Sequence, residues 1–304
     1  MKIGFLTGCL KNMPLFEKAE FAHAAGFEAL EISCWPEQND RDYSGNDIDV
    51  ANLTPEKAKE ISDKMQALEL EISSLAYYDN TLSANPEERA AVNAHIHKVI
   101  DAAQMLGVKR VGVFAGRDIS KDIAGNFDEF ERIFTGLVDY AEQRGVMLMI
   151  ENCQMHGWLE PDKPGTISYS PELWREMFRR VPSRNFGLNY DPSHLHVMLM
   201  DYMQCLEGFE DRVVHLHAKD AEVFADKVAQ YGVYNGQFGD SFWRYRMPSL
   251  GQVDWEKLLE HLQSHEYDYV VSIEHEDPLY SGNLEQVKEG LVLGLNYLKR
   301  VLGK

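Results

Sequence analysis

The sequence is short of basic residues. Its 304 residues include 30 Lys and Arg against 49 Asp and Glu, so the formal net charge is −19 with the histidines neutral. A protein that binds nucleic acid needs a basic surface that displaces counterions from the phosphates, so this balance argues against nucleic acid as a partner. A net charge of this size bears on solubility and on partners, and does not determine the fold.

Cysteine pairs and long apolar runs are also missing. The four cysteines are widely scattered and form no CxxC pair, which is typical of reduced thiols in a cytosolic protein. No apolar run reaches the length of about 18 residues that a membrane span needs, and the apolar run at 3–10 is too short for a secretory signal. We expect a cytoplasmic protein with no membrane partner, although export by an unusual route stays open.

The sequence does have abundant apolar material, with 44 % hydrophobic residues. Short apolar segments rich in β-branched residues alternate with longer amphipathic stretches along the whole chain. The segments that we predict as strands are 2–7, 27–33, 71–77, 110–114, 147–151, 186–190, 213–219 and 269–274. The stretches that we predict as helices are 15–25, 55–69, 86–106, 127–144, 171–180, 199–207, 254–265 and 284–302.

This alternation indicates an α/β fold built from βαβ units with a parallel sheet. Eight such units fit a single (β/α)8 TIM barrel domain over 1–304 better than an open doubly wound sheet with extra helices. The sequence contains neither GxGxxG after the first strand nor GxxxxGK[ST], so dinucleotide-binding and P-loop folds have no support. Long loops at 34–53 and 221–253 follow strands two and seven, on the face where barrel active sites lie.

Metal-binding residue types stand at the ends of the last four predicted strands. Glu151 closes the fifth strand and Asp191 follows the sixth. His217 lies on the seventh strand and Glu274 closes the eighth. These side chains would meet at one rim of a barrel and bind a divalent ion. Taken singly, each also fits a helix cap, a turn or an ion pair, and His215, on the same side of its strand as His217, also fits a core or supporting histidine.

Five segments carry a family likeness: IEN at 150–152, DPSH at 191–194, HAKD at 217–220, PSLGQVDW at 248–255 and SIEHED at 272–277. They resemble the sugar phosphate isomerase/epimerase family, which has a xylose isomerase-like barrel and includes ketose 3-epimerases and inosose dehydratase and isomerase. The resemblance covers almost the whole chain. It implies that the metal ligands are Glu151, Asp191, His217 and Glu274, and that His194 binds substrate.

The resemblance also implies a reaction and a cofactor. One divalent ion is expected, with Mn²⁺ or Mg²⁺ favoured over Co²⁺ or Zn²⁺. The expected reaction is isomerisation or epimerisation of a keto-sugar or keto-inositol by proton transfer through a cis-enediolate, whose negative charge the ion would stabilise. Glu151 and Glu274 are the expected catalytic base and acid. An inosose-type dehydratase on the same scaffold and a barrel subunit of a sugar-processing complex stay open as alternatives.

Other side chains are candidates for binding substrate. We expect Lys219, or Asp220 beside it, to orient substrate near the ligands. The arginine that follows the strand-seven histidine in ketose 3-epimerases is missing here, so we expect Arg246, or Arg244, to supply that charge. Three more candidates, for which ordinary loop packing is the alternative, are Trp35, Trp158 and His156.

The apurinic endonuclease branch of the family does not fit this sequence. That branch needs further histidines at the ends of strands three and four and beyond strand seven, whereas 76–77, 114–115 and 221–253 contain none. The acidic charge counts against a nuclease as well. Because no glycine-rich phosphate loop follows strand seven or eight, we expect a free sugar or polyol as the small-molecule partner. We also expect a homo-oligomer, which is common in the family.

Overall fold

The computed structural model describes residues 1–37, 44–155, 164–236 and 238–304. Eight parallel strands form the barrel: β1 (Lys2–Leu6), β2 (Ala29–Ser33), β3 (Glu71–Tyr77), β4 (Arg110–Val113), β5 (Met147–Glu151), β6 (Phe186–Tyr190), β7 (Val213–Ala218) and β10 (Val270–Ile273). Two further strands, β8 (Asp220–Val223) and β9 (Trp243–Arg246), lie outside it. The barrel closes in the order β1-β10-β7-β6-β5-β4-β3-β2. All eight predicted strands are confirmed, as is the closed barrel.

Helices separate the strands along the chain. They are α1 (Leu15–Ala25), α2 (Pro55–Ala67), α3 (Pro86–Leu106), α4 (Ile123–Glu142), α5 (Pro171–Arg180), α6 (Pro192–Val197), α7 (Tyr202–Leu206), α8 (Ala225–Tyr231), α9 (Trp255–Ser264) and α10 (Leu284–Val301). The short helices α6 and α8 were not predicted, because neither is long enough to show a helical period. Within the described ranges, no helix is both long and apolar enough to cross a membrane.

Local sequence explains where several helices begin and end. Thr54 caps α2 by accepting a hydrogen bond from the backbone N–H of Lys57, and a proline occupies the first turn. Gly26 ends α1 with a φ of 89°, and Gly107 ends α3 with a φ of 73°. Both glycines adopt the left-handed conformation that other residues avoid, so the chain can turn back into the next strand.

Alternation along β6 shows how the barrel separates its apolar and polar layers. Phe186 points outward and contacts the rings of Phe134 and Phe178 on the surrounding helices. Tyr190 on the same face packs against Trp174. Asn189 lies between these outward residues and points into the barrel, where it hydrogen-bonds to Tyr78, just after β3, and to His215 on β7. The interior of the barrel therefore becomes polar toward the carboxyl ends of the strands.

The connection after β7 contains its own sheet. β8 (Asp220–Val223) pairs antiparallel with β9 (Trp243–Arg246), and α8 lies between them. The sequence had indicated only a long loop here, because neither strand contains an apolar run. This hairpin leaves the carboxyl end of the barrel and places β9 beside α6, which begins at the end of β6.

Candidate metal and active site

Four buried side chains come together at the carboxyl end of the barrel. The ligand atoms of Glu151, Asp191, His217 and Glu274 all lie within 4.8 Å of one another. Nδ1 of His217 is 3.2 Å from Oε1 of Glu151 and 3.2 Å from Oε2 of Glu274. We call these four residues the rim cluster. They are the four positions at which the sequence predicted a metal site.

The orientation of His217 is set from inside the barrel by Glu31 on β2. Nε2 of His217 lies 2.9 Å from Oε2 of Glu31, and because a carboxylate only accepts, this nitrogen carries the hydrogen. Nδ1 therefore faces the rim cluster. Glu31 also accepts hydrogen bonds from Tyr78 at 2.7 Å and Ser272 at 2.9 Å. Burial alone would raise the pKa of Glu31, but the charges of His217 and His215 and the hydrogen bonds from His217 and Tyr78 together outweigh it and lower this pKa to about 2.

Asp191 is held by its backbone and by one of its two carboxylate oxygens. The side chain of Asn152 accepts from the backbone N–H of Asp191 and donates to its carbonyl, each at 2.7 Å. Oδ1 of Asp191 accepts from the N–H of Ser193 and caps α6. Oδ2 is buried, accepts no hydrogen bond from the described residues and lies 3.3 Å from Nζ of Lys219. Burial raises the pKa of this carboxyl. Oδ2 thus faces the ammonium of Lys219, and a bound metal ion would share this oxygen with it.

His194 and Tyr245 form a chain of contacts that ends on Glu151. Nε2 of His194 lies 3.1 Å from Oε1 of Glu151. Nδ1 of His194 lies 2.9 Å from the hydroxyl of Tyr245 on β9. The hairpin therefore reaches the rim cluster through Tyr245, a residue that sequence reasoning did not select.

Lys219 is buried among the carboxylates. Its Nζ lies 2.6 Å from Glu274, 3.3 Å from Asp191 and 3.5 Å from Glu276. It also lies 4.6 Å from the centre of the Tyr245 ring. Burial and the charge of Glu151 would raise the pKa of Glu274, but Lys219 and His217 outweigh them and lower it to about 2. Glu274 is therefore ionised at neutral pH.

Carboxylates outnumber permanent cations in this part of the barrel. Lys219 pairs with Asp191, Glu274 and Glu276, and His217 contacts Glu31 and Glu151. Among the described residues, Lys219 is the one lysine or arginine paired with any of these five carboxylates. Buried charge without a partner costs several kcal/mol per ion, so protonated histidines or a divalent cation must offset the excess. Three carboxylates and one imidazole form a donor set that suits Mn²⁺, Mg²⁺, Co²⁺ or Zn²⁺. These residues therefore fit a single divalent ion.

The two candidate arginines pair with acids and make no described contact with the rim cluster. Arg246 donates to Asp277 at 2.9 Å and to Glu222 at 3.0 Å, and Arg244 pairs with Glu222 at 2.7 Å. The reason is the alternation of β9, which places both arginines on one face and Tyr245 on the other.

The carboxylate of Asp220 holds the hairpin in place. Its carboxylate accepts hydrogen bonds from the backbone N–H of Val253 at 2.9 Å and from Nε1 of Trp255 at 3.1 Å. A β-carbon at Gly251 would lie 2.1 Å from Oδ1 of Asp220, so only glycine fits there. Of the adjacent pair, Lys219 contacts the rim cluster and Asp220 fastens the hairpin to the chain before α9.

Of the three remaining candidates for substrate binding, only Trp35 lies within the described residues. Trp35 is buried and packs against Tyr77 and Tyr78, with ring centres 5.8 Å and 6.1 Å away. Trp35 therefore supports Tyr78, whose hydroxyl donates to Glu31. The other candidates, His156 and Trp158, lie in 156–163, outside the described residues.

Sequence reasoning missed most of the side chains that support the ligands, although a signal was present. Asn189 and Ser272 each stand two residues before a ligand, and the period of a strand places them on the same inner face. His215 likewise stands two residues before His217 and faces the interior. Its Nδ1 lies 3.0 Å from Oδ1 of Asn189. Burial lowers the pKa of His215 to about 3. Glu31 is a charged residue in an otherwise uncharged, fully buried strand.

Comparisons with known proteins agree with this geometry. The family model described as the xylose isomerase-like TIM barrel matches residues 19–300. An inosose dehydratase of Clostridium perfringens is 24 % identical over 260 residues, covering 78 % of this chain and 80 % of its own. A D-tagatose 3-epimerase-like protein superposes with a TM-score of 0.71 at 20 % identity, covering 100 % of this chain and 99 % of its own. The IOLI protein, solved with a bound zinc atom, gives 0.73 at 18 %, covering 100 % and 98 %. This chain belongs to the xylose isomerase-like TIM barrel family.

Proposed function

We propose that this protein is a divalent-metal-dependent isomerase or epimerase of a keto-sugar or keto-inositol. The observation that carries the proposal is the pair of glutamates, Glu151 and Glu274, at equal distances of 3.2 Å from Nδ1 of His217. Together with Asp191 they would hold one ion, Mn²⁺ or Mg²⁺ in the first place. Bound there, the ion would supply positive charge for the oxygens of an α-hydroxy ketone while a proton leaves the neighbouring carbon.

Glu151 and Glu274 are the proton carriers in this proposal. Although burial opposes ionisation, the charges of His217 and Lys219 and hydrogen bonds from His194 and His217 keep the pKa of Glu151 well below its usual range. Glu274 is ionised as well, with its pKa at about 2. Each carboxylate therefore starts in the deprotonated form that a base needs. In isomerisation, the glutamate that takes the proton returns it to the neighbouring carbon. In epimerisation, the other glutamate donates to the opposite face of the substrate, and it must first gain a proton from solvent.

The residues around this pair would orient the substrate and the carboxylates. His194 holds Oε1 of Glu151, and Tyr245 holds His194. The ammonium of Lys219 lies against Glu274 and Asp191, where it can also donate to a substrate hydroxyl. Since the partly buried hairpin strand β9 covers His194, it would help to exclude water during proton transfer.

A dehydratase is the second candidate, because a relative named inosose dehydratase matches 78 % of this chain. Dehydration begins with the same removal of a proton beside a carbonyl. It then expels a hydroxyl from the next carbon, so the same two glutamates would serve. The two reactions differ in the second step. Isomerisation or epimerisation returns a proton to carbon, whereas dehydration releases a hydroxyl group.

The test is NMR analysis of products in deuterated water. The purified, metal-stripped chain is supplied with Mn²⁺ or Mg²⁺ and a panel of free keto-sugars and inososes. We expect a new isomer or epimer that carries solvent deuterium beside the carbonyl, and no turnover without the metal. Formation of an unsaturated ketone would identify the dehydratase instead. If turnover requires a second protein, the role of a subunit in a complex is favoured.

Two variants test the residue assignment. Glu151→Gln and Glu274→Gln should each lower turnover at least about a hundredfold, the usual contribution of a general acid or base, with an unchanged circular dichroism spectrum. Glu60→Gln is the matched control, because Glu60 pairs with Lys57 on the exposed face of α2. Full activity in either rim variant overturns the assignment.

A further inference from the structure

A second group of histidine and carboxylate side chains lies at the amino end of the barrel. Glu210 stands in the short 3-10 helix just before β7, and His261 and His265 lie on the last turn of α9 and just after it, before β10. β7 and β10 are neighbours in the barrel. The three ligand atoms lie within 4.8 Å of one another. We call these three residues the base cluster.

The two histidines stand four residues apart, His261 in the last turn of α9 and His265 at its C-cap, so both rings are on the same side. The ring centres are 4.4 Å apart. Nε2 of His261 lies 3.2 Å from Oε1 of Glu210, and Nε2 of His265 lies 4.0 Å from the same oxygen. Two donors on a tetrahedral zinc ion, each bonded at about 2.0–2.1 Å, lie roughly 3.3 Å apart. The separations of 3.2 Å and 4.0 Å from Glu210 to the two histidines are close to that value.

The surroundings fix the atoms that each residue presents. Nδ1 of His265 lies 2.9 Å from the carbonyl oxygen of His261, so it carries the hydrogen, and in the neutral ring Nε2 has a free lone pair. Oε2 of Glu210 accepts from the N–H of Gly208 at 2.8 Å, which leaves Oε1 to the histidines. The separation of 4.0 Å between His265 and Glu210 is too long for a hydrogen bond. Glu210 therefore holds His261, whereas His265 is held through its Nδ1 and directs Nε2 toward the same carboxylate without a hydrogen bond to it.

We propose that Glu210, His261 and His265 form a second metal site, which takes Zn²⁺ or another borderline transition ion such as Ni²⁺ or Cu²⁺. Two imidazoles and one carboxylate are the donors that such ions favour, whereas Mg²⁺ favours oxygen donors alone. His265 is exposed, so water can complete the coordination. The ion would tie the end of α9 to the segment before β7. The site is independent of the proposed reaction, because it lies at the other end of the barrel.

The first test is metal stoichiometry. Metal-stripped wild type and the double variant His261→Ala, His265→Ala are dialysed against Zn²⁺, and bound zinc is counted by mass spectrometry. We expect the double variant to bind one zinc ion fewer than wild type. His23→Ala, His97→Ala is the matched control, since it removes two histidines outside both clusters, and it should bind as much zinc as wild type. Equal zinc content in wild type and the His261, His265 variant overturns the proposal.

The second test does not depend on the rim cluster. In the variant Asp191→Asn, Glu274→Gln, which lacks two rim ligands, bound Cu²⁺ should show electron paramagnetic resonance couplings to two imidazole nitrogens. Adding His265→Ala should leave one. A spectrum that His265→Ala does not change overturns the proposal. Because both tests compare variants at the base cluster, failure of the proposed reaction would leave their outcome unaffected.

Discussion

The rim cluster and the base cluster use the same kinds of side chain at opposite ends of one barrel, and they differ in their surroundings. Every residue of the rim cluster is buried and held by a further polar group: His217 by Glu31, Asp191 by Asn152, Glu151 by His194 and Glu274 by Lys219. In the base cluster, Glu210 and His265 are held by backbone groups and the site is open to solvent.

Because of this difference in burial, we expect different roles for the two clusters. In the rim cluster, removal from water strengthens each electrostatic interaction and shifts the pKa values of the ligands. In the base cluster, water and salt screen the same interactions. We therefore expect the rim cluster to carry chemistry, and the base cluster to contribute metal binding and local stability only.

The largest effect that would test this contrast is expected from Glu31→Gln. A glutamine can donate to Nε2 of His217, which would move the ring hydrogen to Nδ1 and away from the tautomer that binds a metal. We expect a loss of about 10–100-fold in Mn²⁺ affinity, measured by titration of the free-ion electron paramagnetic resonance signal, and a changed ¹⁵N spectrum of His217. Ser272→Ala is the control, because it removes one hydrogen bond from Glu31 and keeps its charge. Wild-type Mn²⁺ affinity in Glu31→Gln would show that the deeper residues only fill space.

A smaller effect is expected from pH. The carboxylates around His217 raise its pKa well above the usual value despite burial, so at neutral pH the metal-free ring is protonated and a metal must displace that proton. Mn²⁺ affinity should therefore rise with pH, by at most about tenfold per unit, until the raised pKa is passed. Glu31 stays ionised throughout, with its pKa at about 2.

The measurement is calorimetry of Mn²⁺ binding in two buffers that differ in their enthalpy of ionisation. Their difference gives the number of protons released, which we expect to be close to one at pH 7. Affinity that is flat between pH 6 and 8, with no proton release, would contradict the raised pKa of His217.

The smallest effect is expected from Tyr245→Phe. This change removes the hydroxyl that lies 2.9 Å from Nδ1 of His194 and keeps the ring beside Lys219. A single hydrogen bond is worth about 0.5–1.5 kcal/mol, so turnover should fall roughly two- to tenfold in steady-state assays. Tyr234→Phe in the same connection is the control, because Tyr234 is 78 % exposed. Equal activity in the two variants would show that β9 does not support Glu151.

The barrel was predictable because its strands are short apolar runs in a regular alternation with helices. The meeting of the four rim-cluster side chains was predictable because parallel strands bring their carboxyl ends to one edge. The β8–β9 hairpin was not, since the segments 220–223 and 243–246 contain too few apolar residues to show a strand period. Without that period, Arg246 and Tyr245 could not be assigned to opposite faces.

The supporting residues were missed for a different reason. Glu31 contacts His217 across 186 positions of sequence, and no local pattern reports a contact of that span. Its identity as a charge in a buried strand indicated only that it had partners. Closure of the barrel determines which partners these are, because it places β2 within reach of β7 and β10 across the interior.

The fastening of the hairpin has a consequence for protein engineering. Asp220 and Gly251 anchor its two ends against α9, and the backbone pair of Phe224 and Phe242 closes it 2.8 Å apart above those anchors. The chain between Phe224 and Phe242 therefore starts and ends at fixed points. We expect loops of other lengths to be accepted between them while Lys219, one residue before the first anchor, keeps its position beside Glu274.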